Sequence, residues 1–214
     1  MADVLIRSLQ AVGFDGHVCV IQEEEMKGFR SRDMKTRLPD LSPFRRTLFL
    51  DSDVIAQKSF WNIWALLDRE DLYMAHDLHS TVEKAIADST SRCEMEEREE
   101  TAKVCCPSQP FFNTGVILYK PSAIVSTYFN VWHEEWERFK LVDQFAAARA
   151  MTTLKYFPSL LEARYNAPVR YAYPMAYPEA VFLHCWGLPR NERYKPLASR
   201  LLPQDPHQTG RSFK

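Results

Sequence analysis

Residues 46–53 read RTLFLDSD, and this stretch decides the fold expected for the chain. An unbroken apolar run, residues 47–50, leads directly into Asp51, Ser52 and Asp53. A short run of this kind beside helical segments is typical of a parallel strand that is covered on both faces. The carboxyl end of such a strand is where an open α/β sheet presents its ligand site. The stretch therefore predicts an α/β fold with a polar site immediately after this strand.

Asp51 and Asp53 are the first candidate metal ligands. Two carboxylates two residues apart, where a strand gives way to a turn, can converge on one divalent cation, because the turn breaks the alternation of side chains. Oxygen ligands of this kind favour magnesium or manganese over zinc. A lone DxD pattern is short, however, and aspartate is common in turns. On spacing alone, a turn-capping Asp51 and a solvated Asp53 are an equal alternative.

Composition limits the classes of partner. The chain has 214 residues, with 27 Lys and Arg against 28 Asp and Glu, for a formal net charge of −1. This balance provides no long-range field for nucleic acid or an anionic membrane, so any phosphate recognition must be local and nucleic-acid binding is a poor expectation. The length suits one domain with a sizeable core, expected over residues 1–202, with residues 203–214 as a disordered tail.

Cysteine usage and hydropathy bear on the compartment. The five cysteines are an odd number with neither zinc spacing nor a disulfide framework, which favours reduced thiols. No stretch approaches a membrane span, and the N-terminus lacks a basic flank followed by an apolar core. As printed, the chain is expected to be cytoplasmic with no membrane segment. The sequence does not decide whether a targeting or anchor segment precedes it, or whether the protein forms a homo-oligomer.

Hydrophobic spacing predicts helices that alternate with strands. The helices are expected within residues 2–12, 22–38 (ended by Pro39), 60–67 and 124–140, and in a segment with Asp143 as its N-cap. Further strands are expected at residues 17–21, 71–75, 116–118, 154–157 and 180–183. The acidic segment 80–101 is expected to be an exposed helix or mobile loop without chemistry of its own, with a lid beside the site as an open alternative. Residues 165–178 are expected to be irregular.

The order of these elements suggests a missing strand. The chain begins on a helix, whereas a doubly wound sheet normally places an earlier strand before such a helix and uses its exit loop to hold the ligand. We therefore expect this strand to lie before Met1, so that the fold is N-terminally truncated.

Several polar residues lie beside predicted strands. Residues 113–115, NTG, are expected to form a polar tip where the strand begins, and Gly115 would let a ligand approach the backbone. His76 and Asp77 end the strand before it and could face the same crevice. Each pattern alone is also compatible with an ordinary turn or a solvated surface.

Taken in order, the motifs resemble the GT-A type glycosyltransferases, in particular the glycogenin-like family of nucleotide-sugar transferases. The motifs are LFLDSD, FFNTGVILY, the DQ pair of LVDQF, and HCWG followed by basic residues, and the resemblance runs from Val4 to Lys195. It implies a Rossmann-like α/β fold, with a mostly parallel central sheet flanked by helices. It also implies transfer of a sugar from a nucleotide-diphosphate donor, expected to be a UDP-sugar, to a hydroxyl acceptor.

The resemblance assigns a metal site to Asp51, Asp53 and His184. In the family, the corresponding residues hold manganese on the donor diphosphate, and magnesium is the alternative here. The chemistry agrees, because manganese accepts imidazole as well as carboxylate.

The resemblance also assigns catalytic and donor-binding positions. Lys35, sixteen residues before Asp51, matches a lysine important for activity and is preferred to Arg32. Asp143 and Gln144 match the pair near the reacting carbon. The donor-binding positions are Lys35, Ser52, Asn113, Thr114, Gly115, Gly187 and Arg190. At Arg190 the family has a lysine, which presents its charge with a different geometry.

The expected chemistry follows from charge. Breaking the glycosyl–phosphate bond leaves a diphosphate of growing negative charge, which a metal, Lys35 and Arg190 would stabilise. No residue stands out as a general base, which suits a retaining reaction in which the leaving phosphate helps to deprotonate the acceptor.

Two alternatives remain at this stage. A catalytically inactive pseudo-glycosyltransferase could keep the sheet and serve as a binding or scaffold protein. Less favoured is a haloacid-dehalogenase-type phosphatase, which LFLDSDVI also resembles, because no convincing acidic pair follows downstream.

Overall fold

The structure is a computed structural model that describes residues 2–21, 31–88, 94–169 and 178–186. Its helices are α1 (Ala2–Ala11), α2 (Ser31–Thr36), α3 (Leu38–Leu41), α4 (Val82–Asp88), α5 (Met95–Val104), α6 (Ala123–Phe139) and α7 (Asp143–Leu154). Its strands are β1 (Thr47–Leu50), β2 (Val54–Ala56), β3 (Leu72–Thr81), β4 (Pro110–Tyr119), β5 (Ser159–Leu161), β6 (Ala167–Pro168) and β7 (Phe182–His184). Two 3₁₀ helices span Trp61–Asp68 and Ala163–Tyr165. Among the helices described, none has both the length and the apolar composition needed to cross a bilayer.

These elements belong to two compact units. Of the described residues, the smaller unit contains residues 2–17, 51–61, 164–169 and 178–186, and the larger unit residues 18–21, 31–50, 62–88 and 94–163. A single domain over 1–202 stays a prediction, and the expected tail at 203–214 lies outside the described residues.

The smaller unit contains a three-stranded sheet with the order β2-β7-β6. Strand β2 runs antiparallel to β7, with Val54 opposite His184, whereas β6 runs parallel to β7. Helix α1 packs on this sheet, and the hydroxyl of its buried Ser8 accepts a hydrogen bond of 3.0 Å from the Ala56 N–H. The helix predicted at the N-terminus is confirmed, and Gly13 follows it with a positive φ of 78°.

The larger unit contains a four-stranded sheet with the order β1-β4-β3-β5. Strand β4 is antiparallel to both β1 and β3, and only β3 and β5 are parallel. The mostly parallel sheet that was predicted is therefore wrong for the strands described. The physical reason is that an unbroken apolar run reports burial on both faces, and the central strand β4 is buried from Phe111 to Tyr119 while pairing antiparallel on both sides.

An aromatic core fills the larger unit between its sheet and its long helices. Helix α6 begins at the N-cap Ser122, as its sequence favours, and buries Tyr128, Trp132 and Trp136 against α7. The Trp132 indole N–H donates to the backbone oxygen of Asp143 at 2.9 Å. The core thus holds the beginning of α7 in place.

Two predicted strands are absent from the part of the chain that the structure describes. Residues 17–21 form no strand there, and Val18 and Val20 are 50% and 40% exposed. The alternating apolar pattern has no pairing partner among the described strands. Residues 154–157 also differ, because α7 continues to Leu154 and Lys155 then adopts a left-handed conformation with φ 50°. The strand β5 begins only at residue 159.

One proline does not have its predicted role. Pro39 lies in the first turn of α3 rather than ending a helix, a position where its missing N–H costs nothing. Of the predicted helix over 22–38, residues 22–30 lie outside the described residues.

The acidic segment forms helices, which is one of the two predicted alternatives, but it is not exposed throughout. It contains α4 and α5, with residues 89–93 outside the described part. Glu97 in α5 is fully buried beside the equally buried Arg149 of α7, at 3.1 Å. An acidic run in sequence hides this inward position, because its partner lies 52 residues away.

Candidate active site

A tight turn places the two aspartates of the DSD stretch. The Val54 N–H donates to the Asp51 backbone oxygen at 3.0 Å, which closes the turn. The Cys185 N–H donates to the Asp53 backbone oxygen at 3.0 Å, which fixes the turn beside β7. The predicted break in side-chain alternation therefore occurs at these residues.

His184 completes a cluster with these aspartates in the smaller unit. Its Nε2 atom lies 3.3 Å from Asp53 Oδ1 and 3.8 Å from Asp51 Oδ2. One ligand atom from each of the three residues lies within 4.8 Å of the others. The imidazole is 4% exposed, whereas the carboxylates are 22% and 23% exposed, so a cation bound here could still meet a ligand from solution.

The surroundings of His184 fit a metal ligand. The amide oxygen of Asn166 lies 2.9 Å from Nδ1, and in the tautomer that donates to this oxygen Nε2 presents its lone pair toward the carboxylates. Nε2 is buried and has no hydrogen-bond partner among the described residues. A divalent cation held by two carboxylates and one imidazole would satisfy this atom, and such a donor set suits manganese.

We expect Asn166→Leu to weaken manganese binding by about ten- to a hundredfold, because outer partners that orient a histidine ligand typically contribute this much. The leucine has a similar size but cannot accept the Nδ1 proton. A manganese titration of both proteins checks this, with Glu179→Gln, which breaks only the exposed pair with Lys58, as the control in the same unit. Equal affinity in the leucine variant would contradict the orienting role of Asn166.

A second cluster, in the larger unit, surrounds Asp143. The Lys35 ammonium lies 3.4 Å and the Arg32 guanidinium 3.6 Å from its carboxylate, and the Thr114 hydroxyl donates to it at 2.7 Å. Asp143 is 5% exposed. It is the first residue of α7 rather than the N-cap that was predicted, which is Val142. Its side chain is engaged by Thr114 and the two cations.

The carboxylate of Asp143 is kept ionised. Burial works to raise its pKa, but the charge of Lys35, the Thr114 hydroxyl and Arg32 outweigh burial, so the pKa lies below its ordinary value. At neutral pH the group is a buried anion. It can stabilise positive charge that develops beside it, and it cannot act as a general acid.

A third group is built around Asp77. Its Oδ2 atom accepts hydrogen bonds from the side-chain amides of Asn113 at 3.0 Å and Gln144 at 2.9 Å. Gln144 also donates to the Phe112 oxygen at 3.1 Å, while Asn113 Oδ1 accepts from the Gly115 N–H at 2.9 Å. Asp77 therefore fixes the orientation of two predicted site residues.

The position of Asn113, Thr114 and Gly115 differs from the polar tip that was predicted. They lie within β4 and are buried, with Asn113 opposite Ala75 just after an irregularity in the β3 pairing. The irregularity lets polar residues sit inside a strand, where Asp77 and Asp143 satisfy them.

The predicted site residues thus fall into separate groups. Asp51, Ser52, Asp53 and His184 belong to the smaller unit, and Lys35, Asn113, Thr114, Gly115, Asp143 and Gln144 to the larger unit. Gly187 and Arg190 lie outside the described residues. Sequence reasoning assigned no role to Asn166, and it expected His76 and Asp77 to end a strand and face the crevice. The expected strand end is wrong, because both residues lie within β3, which continues to Thr81. For Asn166 no local signal exists, since its partner His184 is 18 residues away.

Comparison with known proteins concerns the fold. No protein-family model and no curated protein sequence matches the chain. The galactosyltransferase LgtC, solved in complex with donor and acceptor sugar analogs, is 16% identical with a TM-score of 0.52, over 96% of this chain and 92% of LgtC. The apo glycosyltransferase GlyE of Streptococcus pneumoniae TIGR4 is 17% identical with a TM-score of 0.56, over 95% of this chain and 57% of GlyE. A glycogenin-like subgroup stays a prediction. The chain has the α/β fold of the GT-A glycosyltransferases.

Proposed function

We propose that this protein is a metal-dependent glycosyltransferase that moves a sugar from a nucleotide-diphosphate donor, a UDP-sugar, to a hydroxyl acceptor with retention. The observation that carries the proposal is the cluster of Asp51, Asp53 and His184, with its buried Nε2 atom aimed at two carboxylates, in a chain with the GT-A fold.

The cluster would hold Mn²⁺, or Mg²⁺ in its place. When bound, such a cation supplies positive charge that offsets the negative charge developing on the leaving diphosphate. Lys35 is a further cation of the proposed donor site, and its ammonium is already desolvated beside Asp143, where electrostatic effects are strong. Ser52, Gly187 and Arg190 are proposed to complete the donor-binding residues.

Asp143 and Gln144 are proposed to face the reacting sugar. The ionised Asp143 would stabilise the electron-poor ring as the bond to phosphate breaks. Both hydrogens of the Gln144 amide are used by Asp77 and Phe112, so its amide oxygen is the atom that it can offer to a substrate. Asn113, Thr114 and Gly115 would contact the donor sugar.

The proposed retention of stereochemistry is supported by the weak basicity of the proposed catalytic carboxylate. Asp143 is anionic, but it is already paired with Lys35 and Thr114 and is therefore a weak base. The leaving phosphate would instead help to deprotonate the acceptor hydroxyl, as in a retaining reaction. The GT-A fold disfavours the phosphatase alternative, and a pseudo-glycosyltransferase stays as the competing proposal.

Calorimetric titration of uridine diphosphate, first with manganese and then with chelator, tests the donor site. We expect micromolar binding, for which about −8 kcal/mol is the corresponding free energy, and its loss with chelator. Slow, manganese-dependent hydrolysis of UDP-sugars should accompany it. Binding without any hydrolysis or transfer would favour the pseudo-enzyme, and no binding in either condition would remove the support for a donor site.

A further inference from the structure

A buried charge network in the larger unit is used by none of the proposed chemical steps. Glu97 and Arg149 are both fully buried, and the guanidinium of Arg149 also contacts Glu135 at 2.8 Å and the Thr101 hydroxyl at 2.7 Å. Arg138 joins Glu135 to Glu100 at the outer side of the network. Burial raises the pKa of Glu97, although Arg149 opposes this effect. Burying such a group is costly unless it is well paired.

Glu97 reaches helix α7 at two points. Its Oε1 atom lies 3.1 Å from the Arg149 guanidinium, and its Oε2 atom accepts a hydrogen bond of 3.0 Å from the backbone N–H of Val142. Val142 is the N-cap residue of α7 and makes no side-chain cap, as expected for valine. The backbone at the beginning of α7 is therefore held by a residue of α5.

A second contact holds the same stretch of backbone. The Trp132 indole donates to the Asp143 oxygen at 2.9 Å, so the segment from the Val142 nitrogen to the Asp143 oxygen is fixed at both ends. Of the groups that touch the Asp143 carboxylate, Thr114 is a short side chain of the buried strand β4, whereas Lys35 and Arg32 are long side chains and Arg32 is 51% exposed. Accurate placement of this carboxylate therefore needs its own backbone in position as well as the Thr114 hydroxyl.

We propose that Glu97 is a positioning residue, which anchors the first turn of α7 through Val142 and thereby holds Asp143 against Lys35 and Thr114. The inference rests on the proposed function in one respect, namely that Asp143 acts on the sugar. A pair of apolar residues would fill the same space with similar stability, but would leave the Val142 N–H without its acceptor.

Two double variants separate the anchor from the ion pair. Glu97→Met with Arg149→Met removes both charges and the acceptor oxygen. Glu97→Gln with Arg149→Met also removes both charges but keeps an oxygen for the Val142 N–H. In both, Glu135 retains Arg138 as its partner. Glu100→Gln, one turn along α5, breaks only the exposed pair with Arg138 and serves as the control.

We expect the kcat for manganese-dependent UDP-sugar hydrolysis to fall by about ten- to a hundredfold in the methionine double variant, because misplacement by about 1 Å costs this much. KM for the donor should be unchanged. The glutamine double variant should recover most of kcat, and Glu100→Gln should match the wild type. Equal kcat in the two double variants would overturn the proposal, since both lack the ion pair and only one lacks the anchor.

Two further readouts do not depend on activity. Hydrogen exchange of the Val142 amide should accelerate in the methionine double variant alone, and the NMR titration of the Asp143 carboxylate should move toward higher pH there. If the wild type hydrolyses no UDP-sugar, the proposed function fails while these readouts still test the anchor. Unchanged exchange and titration in all variants would overturn it. If the methionine double variant does not fold, Glu97→Asp is measured in the same way. Aspartate keeps the charge but retracts the carboxylate from the Val142 N–H, so we expect the same changes with smaller size.

Discussion

Asp53→Asn removes manganese-dependent binding of uridine diphosphate and leaves the fold intact. The substitution takes one negative charge and one anionic ligand from the cluster with Asp51 and His184. It keeps the backbone oxygen that accepts the Cys185 N–H, so the turn is preserved. We expect manganese affinity to fall by more than about a hundredfold, because loss of outer partners alone costs up to that factor.

Asp15→Asn is the matched control for this prediction, since Asp15 is an exposed aspartate of the same unit. Calorimetric titrations of manganese and of uridine diphosphate are compared in the wild type and both variants, with circular dichroism to monitor the fold. Retention of manganese-dependent binding by Asp53→Asn would remove Asp53 from the metal site. If Asp53→Asn loses both binding and the fold, Asp51→Asn, which changes the other carboxylate, is tested in its place.

The sequence predicted the parts of the site that local patterns determine. The DSD turn follows from an apolar run that ends in closely spaced aspartates, and the structure closes this turn with the Val54 N–H. His184 could be placed with the aspartates only through the order of family motifs, and the pairing of β2 with β7 now explains their proximity.

The parts that could not be predicted depend on partners distant in sequence. Asp77 contacts Asn113 and Gln144, which are 36 and 67 residues away, and no periodicity reports such contacts. Glu97 looks like any other member of an acidic run until Arg149 is placed beside it. The direction of the strands could not be predicted either, because burial on both faces produces the same apolar run in the antiparallel β4 as in a parallel strand.

Asp143→Asn is expected to lower kcat for UDP-sugar hydrolysis by about a hundred- to a thousandfold, the range typical of losing one preorganised electrostatic contact. The amide keeps the size of the side chain but loses the charge that faces Lys35 and Arg32. Uridine diphosphate binding with manganese should persist, because the proposed metal ligands are other residues. Asp40→Asn, at an exposed pair with Arg37, is the control, and unchanged kcat in Asp143→Asn would contradict the proposed role.

The same variant has a stability signature whose sign follows from the lowered pKa of Asp143. A carboxyl whose pKa is lower in the folded protein stabilises it above the ordinary value of 3.8, and this contribution is lost as the pH falls below 3.8 through the folded-state pKa. In denaturant unfolding, the free energy of unfolding should therefore be higher for the wild type than for Asp143→Asn at neutral pH. This difference should shrink as the pH is lowered. A difference that stays constant across this range would mean that Lys35, Arg32 and Thr114 do not hold the carboxyl ionised. In that case Asp143 could not be the fixed anion that the proposed reaction requires.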